Sequence, residues 1–191
     1  MNNHLEIDQN SAIRNPQSVL VVVALGSNLG DSRQIVLQAM DRLQSLSDRP
    51  LLRSSLWETS PVDCPPDSPD FVNAVTALIP RADEIPETLL VKLQTLEKEF
   101  GRKTKMILNE PRPVDLDLIA FGQECRISDH LTLPHPRAHV RRFVLQPLAE
   151  IAPAFVLPGQ SLTVAQLLAR LANDESVARL DAGSVVPSGE P

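Results

Sequence analysis

Long apolar runs along the chain predict the strands of a sheet. Ser18–Leu25 (SVLVVVAL) is a continuous, β-branched run that ends at a glycine, which is typical of a buried central strand. Leu51–Trp57 and Phe71–Ile79 are predicted to be two further strands. In Pro111–Gly122, apolar residues alternate with polar ones, which predicts a strand with one buried face. The pattern therefore predicts four strands.

Apolar residues spaced by three and four positions predict four helices. They are Asp31–Leu46, a helix that begins at Pro86, Arg142–Ile151 and Thr163–Leu171. The second helix has proline in its first turn and Gly101 just past its end, the positions where these residues are favoured. The last helix opens with the Thr-x-x-Gln pattern of a capping box.

The order of elements, β-α-β-β-α-β-α-α, predicts an α+β fold. A mostly antiparallel sheet with helices packed on its faces, and extra helices at the C-terminus, buries the apolar positions of this order. The length of 191 residues predicts one domain, which we place at residues 18–175. The polar, aperiodic residues 1–17 are predicted to be a disordered arm, and residues 176–191 a flexible tail.

Two aspartates occupy the polar face of the last predicted strand. Because residues i and i+2 point to the same side of a strand, Asp115 and Asp117 project together, with Cα atoms roughly 6.6 Å apart. Like charges this close raise each other's pKa unless a cation lies between them. The pair is either a solvated feature of an edge strand or an oxygen ligand pair for a cation such as Mg²⁺. The basic loop upstream favours the second interpretation.

Charge is distributed unevenly in this chain. The net charge is −6, yet Gly101–Arg142 carries eight basic and five acidic residues and three of the four histidines. A cationic patch in an acidic protein favours a small polyanionic ligand and argues against a nucleic-acid surface. Since the sequence contains no P-loop motif, a phosphate would be bound by side chains and metal.

Composition predicts a cytoplasmic protein that binds no membrane. The two cysteines make no disulfide framework or zinc spacing, and no secretory signal or membrane-length apolar run is present. Apolar residues make up 42% of the chain and charged residues 22%, as in ordinary globular domains. Nothing in the sequence demands more than a monomer.

Three further features each have two interpretations. The GSNLG turn after the first strand is a helix cap through Asn28 or Asp31, or a part of a binding site. His135 is either a packed loop histidine or a phosphate contact beside neighbouring arginines. Phe71 and Phe143 are either core residues or stacking partners for a ligand.

Six stretches, in this order, resemble the 6-hydroxymethyl-7,8-dihydropterin pyrophosphokinase family of the folate pathway. Each is a weak signal alone, but the set is specific. The stretches are LGSNLGD (25–31), ETSPV (58–62), PDFVNAV (69–75), LEKEFGR (96–102), PRPVDLDLIAFG (111–122) and LTLPHPRAHVRRFVLQPLAEIAP (131–153). The resemblance implies a ferredoxin-like α+β fold. It also implies transfer of the β,γ-diphosphate of ATP to the hydroxymethyl group of the pterin, with AMP as the leaving group.

The resemblance further implies roles for individual residues. Asp115 and Asp117 would hold two Mg²⁺ ions that bridge the ATP phosphates, and Phe71 and Phe143 would stack on the pterin ring. The residues implied to read the polar edge of the pterin are Thr59, Val62 and Asn73. Those implied to be catalytic, through charge stabilisation, are Arg102, Lys105 and Arg112. Those implied to contact ATP are Gln94, Glu97, Leu118, Thr132, His135 and Arg141. Because such transfers rely on positioning and electrostatics, no histidine base is expected.

The chain departs from the family in the loop before the aspartates. Many members carry Arg-Trp-Gly-Pro-Arg where this chain has Leu-Asn-Glu-Pro-Arg at 108–112. Since that loop closes over the substrates in the family, we expect slower chemistry with metal and nucleotide binding retained. Two rival functions remain: a pterin or nucleotide binder that has lost catalysis through these changes, and a nucleotide-sugar transferase with an Asp-x-Asp motif.

Overall fold

The computed structural model describes residues 19–61, 64–65, 67–102, 110–172 and 176–180. The strands in these residues are β1 (Val21–Ser27), β2 (Leu52–Arg53), β3 (Trp57–Thr59), β4 (Phe71–Leu78), β5 (Asp115–Phe121), β6 (Arg126–Ile127), β7 (Thr132–Leu133) and β8 (Val177–Arg179). The α-helices are α1 (Ser32–Leu43), α2 (Pro86–Glu99), α3 (Arg142–Ile151) and α4 (Val164–Arg170). The predicted arm, residues 1–17, lies outside the described residues.

The main sheet is antiparallel and has the order β5-β1-β4-β3-β8, with β2 also paired to β4. β6 and β7 form a separate hairpin. The succession β1-α1-β3-β4-α2-β5, with β1 and β4 central, is the ferredoxin-like arrangement of two split βαβ units. The predicted α+β, ferredoxin-like fold is therefore confirmed.

Helices cover both faces of the sheet, as predicted. Val21, Val23 and Leu25 of β1 point to the face that α1 and α2 cover, where they join one apolar cluster. Val22 and Ala24 point to the opposite face and join a second cluster beneath α3 and α4. Since all five residues are buried, β1 is the central strand that its continuous apolar run predicts.

The polar face of β5 is open only at its beginning. Asp115 and Asp117 are partly exposed, but Ile119, which continues the same face, is 0% exposed in the cluster beneath α3. The alternation in the sequence predicts one buried face for the whole strand. The structure differs because Ile119 and Ala120, in the far half of β5, pack into the second apolar cluster and leave only the aspartate half accessible.

The predicted strand Leu51–Trp57 is two strands in the structure, β2 and β3. The hydroxyl of Ser54 accepts the N–H of Val75 at 2.9 Å, while the N–H of Ser54 donates to the carbonyl of Val75 at 3.0 Å. Because a side-chain oxygen replaces the backbone carbonyl as acceptor, the regular ladder to β4 breaks at this residue.

The sheet extends into the predicted tail. Val177–Arg179 form β8 antiparallel to β3, and the N–H of Leu180 donates to the carbonyl of Leu56 at 2.9 Å. The prediction of a flexible tail is therefore wrong for these residues, and the domain does not stop at residue 175. Residues 181–191 lie outside the described part of the chain.

The helix ends largely follow the predicted signals. α2 starts at Pro86, and Gly101 follows its C-cap with φ of +89°, a conformation that glycine adopts without strain. Thr163 caps α4 and exchanges the two capping-box bonds with Gln166. Among the described helices, none has the length and apolar character needed to cross a membrane.

Candidate active site

A pocket lies at the edge of the sheet where β1 ends and β4 and β5 begin, beside the start of α3. It brings together eight of the predicted site residues. They are Thr59, Phe71, Asn73, Arg112, Asp115, Asp117, Arg141 and Phe143. The other residues that line it are Ala24, Leu25, Gly26, Ser60 and Cys64. The pocket has an aromatic and amide half, contributed by β3, β4 and α3, and a charged half, contributed by β5 and the arginines.

Gly26 lies between these two halves. In the sheet it pairs with Asn73 on one side and with Asp115 on the other. A Cβ atom at this position would lie only 2.9 Å from Oδ1 of Asn73 and 3.7 Å from Cδ1 of Phe71. The first distance is shorter than any normal contact of a Cβ atom, so the close approach of the amide requires glycine here.

The aromatic half is built on β3, β4 and the first turn of α3. Asn73 is 6% exposed and donates its side-chain amide to the hydroxyl of Thr59 at 2.7 Å. This bond fixes the orientation of the amide and leaves its oxygen as an acceptor. Phe71 and Phe143 line the same pocket, one at the start of β4 and the other in α3. Two rings and an oriented amide suit a flat, polar-edged heterocycle.

The charged half is organised around Asp115. Arg102 donates to Oδ1 of Asp115 at 2.6 Å, and Nη2 of Arg112 lies 2.7 Å from its Oδ2. The Asp115 side chain is 18% exposed, so these pairs are shielded from solvent more than ordinary surface pairs. Burial disfavours the charged form of Arg102, but the carboxylates of Asp115 and Glu97 outweigh it and raise the pKa of the guanidinium.

Glu97 supports the aspartate strand from α2. The residue is 7% exposed. Its carboxylate accepts the N–H of Leu116, which lies between the two aspartates in the sequence, at 2.8 Å. It also pairs with Arg102. Burial and the nearby aspartates raise the pKa of Glu97 to about 7, although the Leu116 N–H and Arg102 favour the carboxylate.

Asp117 has a raised pKa, so a bound cation would stabilise its ionised form. Burial, and next the charge of Asp115, raise its pKa to about 6, while Arg141, Arg112 and Arg102 partly offset this rise. In the described part of the chain, no group of three or more His, Cys, Asp or Glu side chains converges as a complete metal cage. Two carboxylates fit Mg²⁺, which keeps waters and phosphate oxygens as its other ligands.

Two arginines stack on the aromatic rings and so border both halves. The guanidinium carbon of Arg112 lies 5.4 Å from the centre of the Phe71 ring, and that of Arg141 lies 5.2 Å from the centre of the Phe143 ring. Nε of Arg112 is buried and has no hydrogen-bond partner among the described residues. A guanidinium with a spare donor suits an anionic oxygen.

His135 lies close to this charged half. Its backbone N–H donates to the carbonyl of Ile119 at 2.8 Å, and its Nδ1 accepts the N–H of Arg137 at 3.3 Å. Burial, reinforced by the charges of Arg141 and Arg137, lowers the pKa of His135 to about 4. The imidazole is therefore neutral at pH 7.

The remaining predicted residues are not gathered in the pocket. Gln94 is exposed on α2, one helical turn before Glu97, and Thr132 is half-buried on β7. Leu118 is 4% exposed and belongs to the cluster beneath α1 and α2. Val62 and Lys105 lie outside the described residues.

Asn28 has a structural role that the sequence pattern does not reveal. Its Oδ1 accepts the N–H of Arg112 at 2.9 Å, its Nδ2 donates to the carbonyl of Pro69 at 3.4 Å, and the residue is 3% exposed. It therefore ties the turn after β1 to the segments that carry Arg112 and Phe71. The helix cap is Asp31, which accepts the N–H of Gln34 at 3.1 Å. Gly26 is the other residue of the site whose role the sequence pattern does not reveal.

Comparison with known proteins agrees with these features. The sequence model of the 7,8-dihydro-6-hydroxymethylpterin-pyrophosphokinase (HPPK) family matches residues 22–153. The 2-amino-4-hydroxy-6-hydroxymethyldihydropteridine pyrophosphokinase of Pseudomonas aeruginosa is 40% identical over 139 residues, which cover 72% of this chain and 83% of that protein. The protein of the same name from Synechocystis sp. is 38% identical over 147 residues, which cover 77% of this chain and 73% of that protein.

Larger proteins contain a similar region. The folic acid synthesis protein fol1 of Pneumocystis carinii is 35% identical over 87% of this chain, which spans only 22% of that protein. The crystal structure of wild-type Plasmodium falciparum HPPK-DHPS with pteroate shares the fold, with a TM-score of 0.61 at 13% identity, over 80% of this chain and 42% of that one. The match to the family model covers most of the chain, and the chain belongs to the 7,8-dihydro-6-hydroxymethylpterin-pyrophosphokinase family.

Proposed function

We propose that this chain transfers the β,γ-diphosphate of ATP to the hydroxymethyl group of 6-hydroxymethyl-7,8-dihydropterin, giving AMP and the pterin diphosphate. The observation that carries the proposal is the pocket around Gly26, which joins an oriented amide and two phenyl rings to two carboxylates and two arginines. A third arginine, Arg102, pairs with the Asp115 carboxylate. A heterocycle with a short alcohol arm fits the first half, and a polyphosphate fits the second.

The pterin ring would lie between Phe71 and Phe143. Asn73, held by its bond to Thr59, would pair with the polar edge of the ring, and the backbone near Thr59 and Val62 would complete that edge. Arg112 and Arg141 stack on the two phenyl rings. Both arginines would therefore be adjacent to the pterin and available to the phosphates at the same time.

The triphosphate would lie over the aspartates. Asp115 and Asp117 would hold two Mg²⁺ ions, and these ions, when bound, would neutralise charge on the phosphates during transfer. Arg102, Lys105, Arg112 and Arg141 are proposed to bind the phosphates, with His135 as a neutral donor. Gln94, Glu97, Leu118 and Thr132 are the proposed surroundings of the nucleoside.

The reaction is a displacement at the β-phosphorus of ATP. The hydroxymethyl oxygen of the pterin attacks that phosphorus, the bond to the oxygen bridging to the α-phosphate breaks, and AMP leaves with that oxygen. The hydroxyl proton is released to solvent. Because His135 has a pKa of about 4, it is a poor general base at pH 7. The arginines and the geometry of the two halves therefore account for the rate.

The test is AMP formation from ATP and Mg²⁺, with and without 6-hydroxymethyl-7,8-dihydropterin. Pterin-dependent AMP in the wild type, lost in Asp117→Ala and kept in the exposed control Asp83→Ala, is the expected result. Pterin binding by calorimetry without any AMP would instead support the rival function, a binder of the same fold. We also propose that the chain acts as a monomer in the cytoplasm; sedimentation of the purified protein tests the first point.

A further inference from the structure

Glu150, at the end of α3, is hydrogen-bonded to the segment that leads into β3. Its Oε2 accepts the backbone N–H of Ser55 at 2.9 Å, and its Oε1 accepts the hydroxyl of Ser55 at 2.6 Å. The indole N–H of Trp57 also points to Oε2, at 3.4 Å. Both oxygens of a single carboxylate are thus used by one short stretch of chain.

The strand β8 also contributes to this contact. Arg179 of β8 donates from Nη2 to Oε1 of Glu150 at 3.1 Å and from Nε and Nη2 to the hydroxyl of Ser55 at 2.9 and 2.6 Å. In the ladder between β3 and β8, Trp57 pairs with Arg179 and Thr59 pairs with Val177. Three elements, α3, β3 and β8, therefore meet at one carboxylate.

Two of these elements carry residues that line the pocket. Thr59, which orients Asn73, ends β3, and Phe143 lies in the first turn of α3. Phe143 and Glu150 lie on the same helix, seven residues or about 10.5 Å apart along its axis, so the bonds of Glu150 to Ser55 restrain the position of α3 relative to β3. We propose that Glu150 is a positioning residue that fixes the spacing between the Thr59 wall and the Phe143 wall of the pterin site.

The contacts of Glu150 with Ser55 and Arg179 differ in strength, so variants that remove them should differ in the size of their effect. The Arg179 side chain is 62% exposed and that of Glu150 is 29% exposed, and ion pairs with an exposed partner contribute little. Hydrogen bonds from Ser55 to a charged acceptor contribute more. Burial alone would raise the pKa of Glu150, but the bonds from Ser55 and Trp57 and the charge of Arg179 lower it, so the carboxylate stays ionised. The expected order of effect is Glu150→Ala, then Ser55→Ala, then Arg179→Leu.

The Thr59 and Phe143 walls are proposed to contact the pterin ring and not the phosphates, so their contacts are made before transfer as well as during it. Loss of the spacing should therefore raise KM for the pterin with little change in kcat or in KM for ATP. We expect a rise of roughly threefold to tenfold in Glu150→Ala, the equivalent of about one lost hydrogen bond or slightly more. Glu99→Ala, which removes an exposed ion pair with Arg42 on the other side of the sheet, is the matched control.

The fluorescence of Trp57 provides a measurement of pterin binding that does not depend on catalysis. It is the single tryptophan of the chain, its indole donates to Glu150, and it is two residues from Thr59. Adding the pterin in steps while recording tryptophan emission gives its dissociation constant from the complete protein, without ATP. The same variants should raise the dissociation constant by the same factor as KM. Glu150→Ala should also shift the tryptophan emission of the free protein, while Glu99→Ala should change neither.

The inference rests on the proposed function, and the two can fail separately. Absence of pterin-dependent AMP in the wild type would contradict the proposed function, while the fluorescence titration would still test the role of Glu150. A lower melting temperature with unchanged pterin KM and dissociation constant in both Glu150→Ala and Ser55→Ala would show a structural role only. Should Glu150→Ala fail to fold, Ser55→Ala decides, because it keeps the backbone bond to Glu150.

Discussion

Nη2 of Arg112 lies 2.7 Å from Oδ2 of Asp115, and Arg102 binds the other oxygen of the same carboxylate. The charge of Asp115 is thus compensated within the protein. Asp117, two residues later on the same face, has a pKa raised to about 6 by burial and by the charge of Asp115. The two aspartates look equivalent in the sequence, but the fold pairs the carboxylate of Asp115 with two arginines and raises the pKa of Asp117.

The first prediction is that isosteric changes at the two aspartates have opposite effects on stability in the absence of metal. At pH 7, Asp117→Asn should raise Tm by about 2–6 °C, because it removes a charge whose ionisation opposes folding. Asp115→Asn should lower Tm, because it removes the carboxylate charge that both Arg102 and Arg112 pair with. Thermal unfolding followed by circular dichroism, in buffer with a chelator, measures both.

The pH dependence of that difference provides its control. Asp117 has its ordinary pKa of 3.8 in the unfolded chain and about 6 in the folded one, so its unfavourable contribution develops as pH rises between these values. The gain in Tm of Asp117→Asn should therefore disappear near pH 4. A gain that is the same at pH 4 and pH 7 would mean that charge is not its cause.

The second prediction concerns Gly26. Gly26→Ala places a Cβ atom 2.9 Å from Oδ1 of Asn73, so the amide must move from the position set by Thr59. We expect pterin affinity to fall by about tenfold or more, with the affinity for a nonhydrolysable ATP analogue nearly unchanged, because the clash is confined to the amide half. Calorimetry with each ligand separately measures the two affinities.

A double variant isolates the cause of this loss. If the clash acts through the amide, Gly26→Ala should have little further effect in an Asn73→Ala background, so the two losses are not additive. Full additivity would show that the methyl group perturbs the pocket by another route, such as its 3.7 Å approach to Phe71.

Local signals in the sequence predict the local parts of this fold. α3 spans the predicted residues, and Thr163 and Gln166 make the predicted capping bonds. Asp115 and Asp117 share one face because alternation in a strand requires it, and the pocket that they line was predictable to that extent. These features depend on residues within a few positions of each other, which is the range that periodicity and capping rules describe.

The parts that the sequence does not reveal depend on distant contacts. β8 is three residues long and gains its stability from β3, more than a hundred positions earlier. The importance of Gly26 follows from the register that places it beside Asn73. The carboxylate of Glu97, which resemblance assigns to ATP, accepts the N–H of Leu116, and no local pattern predicts that bond.

The third prediction is that His135 makes the protein less stable in acid. Its pKa is about 4 in the folded chain and 6.5 as an ordinary histidine, so the unfolded state binds a proton first as pH falls. Stability should therefore decrease from pH 6.5 towards pH 4, and His135→Gln should show a shallower decrease of Tm over this range. His130→Gln, at an exposed position, is the control and should follow the wild type. A pH–rate inflection near 6.5 that is lost in His135→Gln would contradict a neutral histidine.

The fourth prediction concerns position 108, where the chain has leucine and many members of the family have arginine. Residues 103–109 lie outside the described part of the structure, but they join Arg102 to the segment that carries Arg112, and both arginines bind Asp115. The resemblance implies that a cation at position 108 would serve the phosphates. Leu108→Arg should raise kcat by about threefold or more, provided that closure of this loop limits the rate.

The comparison with Leu108→Gln separates charge from polarity, because glutamine has a similar reach but no charge. We expect Leu108→Gln to match the wild type and Leu108→Arg to exceed it in single-turnover AMP formation, with KM for the pterin unchanged in both variants. The KM for the pterin should not change because both variants leave the bond between Asn73 and Thr59 unaltered. Equal single-turnover rates for all three proteins would mean that the missing arginine is not what limits transfer, and that the three arginines already described supply the charge that the reaction needs.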